Sequence, residues 1–156
     1  MAHYNFVKDL TEGEAGEARF VDVLKTRYNA KFVSDNKTNS HDVILQFSEM
    51  SPFGIDSVSF EVKTDVYYRD TGNMFVEFEC RGKPSGIKVS QAEWFVTNFK
   101  HLKEIWCIPT HELKTLIETN RFYQTQNSGD AGSKTRGYLI PRKIFQDKFV
   151  VIRDES

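Results

Sequence analysis

Residues 57–64, SVSFEVKT, alternate without interruption. Val58, Phe60 and Val62 fall on one face of an extended strand, and Ser59, Glu61 and Lys63 fall on the other. Strict alternation marks a strand with one face in a core. The opposite face then carries a carboxylate and an ammonium side by side. Residues 74–80, MFVEFEC, repeat the pattern, with Met74, Val76, Phe78 and Cys80 expected inward. Two such strands require an apolar layer to pack on, and the flanking sequence supplies it.

Residues 11–28 read as a helix, with Thr11 and Glu14 as a capping box and Phe20, Val21, Leu24 and Tyr28 on one face. KFVS at 31–34 and HDVILQF at 41–47 read as strands separated by the polar turn NKTNS. Ser90 with Glu93 predicts a second capped helix through Phe99; EIWCIP predicts a strand, and Thr110 opens a further helix. Residues 124–137 contain no apolar residue beyond Ala131 and read as a mobile loop. YLIP and FVVI close the chain as short strands expected at a sheet edge. Length and an ordinary globular composition, 156 residues with 39% hydrophobic and 28% charged, suit one domain spanning 1–156. The order of elements predicts an α/β fold around one mixed sheet.

The two cysteines, Cys80 and Cys107, show no metal-ligand spacing. MAHYNFVKDL has no apolar signal core and no apolar run approaches membrane-spanning length, so the cytoplasm is expected, of a bacterium or of a phage's host. The net charge of −1 does not announce a nucleic-acid binder, but its distribution is uneven. Residues 1–24 hold two basic and five acidic residues, and residues 121–148 hold six basic and two acidic. Acidic metal ligands offsetting a basic binding surface would give this pattern.

Glu61 and Lys63 are the first pieces of a candidate site. Glu112 and Lys114 form a second Glu-x-Lys, but on a helix, where such residues do not face each other. Asp42 opens the strand DVILQF and is either a turn residue or a group that approaches Glu61 if strands 41–47 and 57–64 pair. Glu17 falls within the apolar stripe of the first helix, where a carboxylate is costly unless something binds it. A salt bridge and an active-site role both answer that cost. Three oxygen donors and a lysine point to a hard divalent cation acting on a phosphoryl group.

An acidic helix, then Asp42, then EVK on the next strand, then a strand and helix, resembles the PD-(D/E)XK, or restriction-endonuclease-like, nuclease superfamily over about residues 11–108. The resemblance implies a mixed central β-sheet flanked by helices. It implies Asp42 and Glu61 as ligands to Mg²⁺ or Mn²⁺, the Val62 carbonyl as a further ligand, Lys63 as catalytic lysine and Glu17 as the helical glutamate of many members. His41 stands where the family has proline. Gln91 and Phe95 resemble a helical Gln-x-x-x-Tyr with Phe in place of Tyr. Arg69, Arg81, Lys83 and Lys88 flank the catalytic strand and the next one as candidate phosphate contacts, with Gln91 beside them. Lys134 and Arg136 either close over DNA or belong to a solvated loop, and Tyr67 and Tyr68 stack on bases or pack in the core. The expected activity is metal-dependent endonucleolytic hydrolysis of duplex, branched or single-stranded DNA. Junction resolution, restriction or homing-type cleavage, phage recombination and DNA degradation are the candidate settings, and a homodimer is expected where both strands are cut. The competing expectation is a non-catalytic nucleic-acid-binding module on the same fold.

Overall fold

Phe60 is fully buried in the middle of a six-stranded sheet, and its neighbours explain the architecture. The computed structural model describes residues 2–34, 43–66, 69–127 and 134–154. A long helix α1 (Ala2–Tyr28) leads into β1 (Lys31–Ser34), β2 (Val43–Ser51) and β3 (Gly54–Asp65). There follow β4 (Asn73–Cys80), β5 (Lys83–Pro84), a 3-10 turn at Gly86–Lys88, β6 (Trp94–Phe99) and β7 (Glu104–Pro109). The chain closes with α2 (Thr110–Thr119), β8 (Tyr123–Asn127), β9 (Thr135–Pro141), the short α3 (Arg142–Phe145) and β10 (Val150–Arg153). The protein is mixed α/β, with a central sheet ordered β1-β2-β3-β6-β7-β10 and a second sheet ordered β5-β4-β9-β8. The central sheet is mixed because β3 and β6 run parallel while its other neighbours are antiparallel.

Alternation along β3 sends Val58, Phe60 and Val62 to one face, where they join Phe20, Val23 and Leu24 of α1 in the first core. The Phe20 and Phe60 rings meet edge to face at 5.0 Å. Helix and strand approach closely because residue 16 is glycine: a Cβ there would lie 1.8 Å from the Thr64 hydroxyl. The second core joins Phe95, Phe99, Trp106 and Ile108 of the central sheet to Met74, Val76 and Ile140 of the second sheet and to Leu113 and Leu116 of α2.

Several expected elements are present: β1, the strands built on 43–47, 57–64 and 74–80, β7 and α2. Others differ. α1 begins at Ala2, so Thr11 is interior to the helix and the Thr11/Glu14 capping box does not form its start. Ser90–Phe99 is not a helix. Its core, WFVTNF, is β6, a central strand buried on both faces; such a strand reads as a continuous apolar run rather than as alternation. Glu93, expected as a capping acid, instead accepts hydrogen bonds from the Ser59 amide (3.0 Å) and hydroxyl (3.2 Å). The polar stretch 124–137 contributes to an antiparallel pair, with Gln126 opposite Arg136 and Thr125 opposite Gly137. β8 is the edge of the second sheet and is held by main-chain pairing rather than apolar side chains. Of the closing strands, β10 is at an edge, while β9 lies inside the second sheet. The central sheet is therefore covered by a helix on one face and, on the other, by a second sheet together with α2.

Candidate active site

β3 places Glu61 and Lys63 on the face away from α1. The two side chains meet there: Lys63 Nζ is 3.2 Å from Glu61 Oε2. The Glu61 residue is 9% exposed, so this carboxylate is held inside the protein and is costly without partners. Ser90, itself buried, supplies one by donating its hydroxyl to Glu61 Oε1 at 3.5 Å. Lys63 is more open and reaches the surface of a cleft of about 560 Å³. The second Glu-x-Lys behaves as its helical setting dictates, with Glu112 and Lys114 exposed and Leu113 buried between them.

The cleft lies between the end of β3 and β6, contributing Lys63, Asp65 and Thr97, and the second sheet. Alternation along β4 explains the latter wall. Met74, Val76 and Phe78 enter the second core, so Phe75 and Glu77 face the other way and line the cleft with Leu139. The rim carries Arg69 and the turn at 70–73. Asp70 accepts from the Gly72 amide at 2.9 Å and from Arg142 Nη2 at 2.6 Å. Arg142 also donates to the Asn73 carbonyl at 3.0 Å and lies over the Phe99 ring at 4.7 Å. The Arg142 guanidinium and the Gly72 amide hold the Asp70 carboxyl below the usual carboxylate range.

The other expected residues fall in several places. Asp42, Tyr67 and Tyr68 lie outside the described residues. Glu17 is half-buried on α1, which covers the opposite face of β3. The buried stripe of that helix runs through Gly16, Phe20, Val23 and Leu24, so Glu17 sits at its edge rather than within it. The Val62 side chain packs under α1, and its peptide lies between the two site residues. Arg81, Lys83, Lys134 and Arg136 gather at one end of the second sheet, through the pairings Cys80–Lys83, Cys80–Thr135 and Glu79–Arg136. The Arg81 amide donates to the Lys134 carbonyl at 3.0 Å, and Arg136 pairs with Glu79 at 3.3 Å. Lys88 is exposed on the 3-10 turn; Gln91 is exposed just before β6, not on a helix as Gln-x-x-x-Phe implied.

Among the described residues, no three histidine, cysteine, aspartate or glutamate side chains form a metal-holding group. Glu61 alone supplies one hard carboxylate donor, and magnesium needs only one or two, completed by waters and substrate phosphate. The donor type fits such an ion. Sequence reasoning missed Glu77, Phe75, Asp70 and Arg142. The signal for the first two was available: outward positions of the alternating stretch 74–80 need a destination as much as inward ones.

No protein-family model matches this chain, and searches of curated proteins and of solved structures return no match either.

Proposed function

We propose that this protein is a metal-dependent DNA endonuclease on a restriction-endonuclease-like core, hydrolysing phosphodiester bonds at the Glu61–Lys63 face of β3. One observation carries the reading. A buried carboxylate is held on a central strand with an ammonium 3.2 Å away, beside a cleft of about 560 Å³. A surface ion pair needs neither that burial nor that cleft.

Mg²⁺ or Mn²⁺ would be held by Glu61, the Val62 carbonyl and Asp42, and would supply Lewis-acid polarisation of the phosphate and a more acidic water. Lys63 places positive charge where charge grows on the phosphoryl group. The basic end of the second sheet, with Arg81, Lys83 and Lys134, leads through Thr135 to the cleft and suits backbone phosphates. Arg69 at the rim serves the same purpose. One site cuts one strand, so cleavage of a duplex or junction calls for a homodimer, acting in the cytoplasm of a bacterium or of a phage's host. That same basic end also favours a second reading, a non-catalytic nucleic-acid-binding module.

The test is a panel of supercoiled plasmid, linear duplex, single-stranded and four-way-junction DNA, each with Mg²⁺ or Mn²⁺ and with EDTA. Metal-dependent cleavage of any member supports the nuclease. Binding without cleavage on every member leaves the binding module.

A further inference from the structure

Glu77 is a charged residue that the strand pattern would assign to solvent, yet the fold builds a specific place for it. It faces the cleft that Lys63 also lines. Three backbone features converge there. Glu77 pairs in register with Gly137 of β9. A Cβ on Gly137 would lie 2.5 Å from the Phe75 ring and 2.7 Å from the Val76 carbonyl oxygen, so residue 137 has no room for a side chain. On the other side Gly86, at φ +54°, comes so close that its Cβ would stand 2.2 Å from the Glu77 carbonyl oxygen. The register of β4 and β9 then shifts between Glu77 and Glu79.

The charged neighbours narrow its role. The groups lining the cleft with Glu77 are Lys63, Asp65, Arg69, Asp70, His101 and Arg142. Asp70 is committed to Arg142, and Asp65 is not free. Glu79, two residues on, pairs with Arg136. Among the described residues, the Glu77 carboxylate makes no hydrogen bond or ion pair. Lys63 is engaged with Glu61, and an ammonium has three donors and no acceptor. His101 is tied through Nε2 to the Val66 carbonyl at 2.8 Å, which leaves Glu77 as the cleft carboxylate, among the described residues, with no side-chain partner.

We propose that Glu77 is the general base of the hydrolysis, a role that rests on the nuclease reading above. The water oxygen forms a bond to phosphorus as the bond from phosphorus to the leaving sugar oxygen breaks. The water's proton passes to the Glu77 carboxylate. The electron pair of the broken bond leaves on the sugar oxygen, which takes a proton from solvent, and Glu77 later returns its proton to solvent. The products are a phosphate monoester and an alcohol, and no oxidant or further reactant is required.

The experiment compares wild type with Glu77→Gln in single-turnover cleavage of the best substrate from the panel. DNA binding is followed by anisotropy, and the Mn²⁺ concentration giving half-maximal activity is measured. General-base loss predicts a rate about 10²–10⁴-fold lower, with binding and the Mn²⁺ midpoint unchanged and the acid limb of the pH–rate profile flattened. Glu112→Gln on α2 serves as the control and keeps the wild-type rate. If the Gln variant does not fold, Glu77→Ala is assayed with added formate: a restored rate supports the base, and no restoration overturns it. Glu77→Gln cleaving at the wild-type rate, or regaining that rate in excess Mn²⁺, overturns the base while leaving the nuclease reading intact. Failure of the wild type to cleave any substrate overturns both.

Discussion

Lys63→Met separates a catalytic lysine from a stabilising one, because the two roles predict effects of different size. The Lys63–Glu61 contact is 3.2 Å, which corresponds to about 1 kcal/mol in a water-like dielectric and about 5 kcal/mol at an effective dielectric of 20. The Lys63 side chain is 43% exposed, so solvent screening and the cost of ordering it place the net contribution near the lower figure, at about 1 kcal/mol. Met retains much of the aliphatic stem, so packing changes little. Loss of one electrostatic donor in the transition state costs about 10²–10³ in rate, or about 3–4 kcal/mol. The rate effect should therefore exceed the stability effect by about 2–3 kcal/mol. Single-turnover cleavage, urea unfolding and DNA anisotropy on the same preparations read the three quantities. Lys114→Met, on the solvent face of α2, should leave all of them unchanged. Near-wild-type cleavage by Lys63→Met refutes the catalytic assignment and leaves Lys63 as a partner of Glu61. A stability loss equal to the rate loss refutes the reasoning about screening.

Two further predictions concern the scaffold. Gly16→Ala should destabilise by about 1–3 kcal/mol despite the better helix propensity of alanine, because its Cβ would stand 1.8 Å from the Thr64 hydroxyl. Thr64→Ala should rescue it, since that hydroxyl is buried with no partner among the described residues; additive effects in the double-mutant cycle would contradict this contact. Asp70→Asn should lower stability by about 1 kcal/mol at neutral pH and free the 70–73 turn from Arg142. A carboxyl held below its ordinary pKa stabilises the fold above that ordinary value, about 4, and loses the contribution as pH falls through the folded value. Urea titrations of wild type and Asp70→Asn should thus keep their full gap above about pH 4 and lose it progressively as pH falls below that; an equal gap at pH 7 and pH 2.5 would contradict the ion pair.

β3 and β4 were legible because each has one face in a core and one outside it, the condition under which alternation shows. The Glu61–Lys63 pair followed from the same period. β6 was not legible, because a strand buried on both faces has no polar face to reveal its period, and Ser90 and Glu93 imitate a helix start. Ser90 instead bonds Glu61, and Glu93 bonds Ser59. The polar sequence of β8 resembles a loop because an edge strand needs main-chain partners more than apolar side chains. Glu17 lies shallower than the sequence pattern predicts, since a stripe averaged over Phe20, Val21, Leu24 and Tyr28 is displaced from the buried one through Gly16 and Val23. Glu77 was invisible because alternation tells which face a residue takes, not whether that face meets solvent or a cleft.

The central claim is that the Glu61–Lys63 face cuts DNA, and supercoiled plasmid tests it most directly. Initial nicking rates are measured for wild type and Glu61→Gln in Mg²⁺ or Mn²⁺ and in EDTA, with circular dichroism confirming that both are folded. Gln keeps the shape of Glu61 and can still accept from Ser90, but it loses the negative charge that faces Lys63 and would hold the ion. Wild type should nick only with metal present, and Glu61→Gln should be slower by about 10² or more, consistent with the loss of one preorganised electrostatic contact. Equal rates for the two proteins, or nicking by wild type that persists in EDTA, would contradict the account.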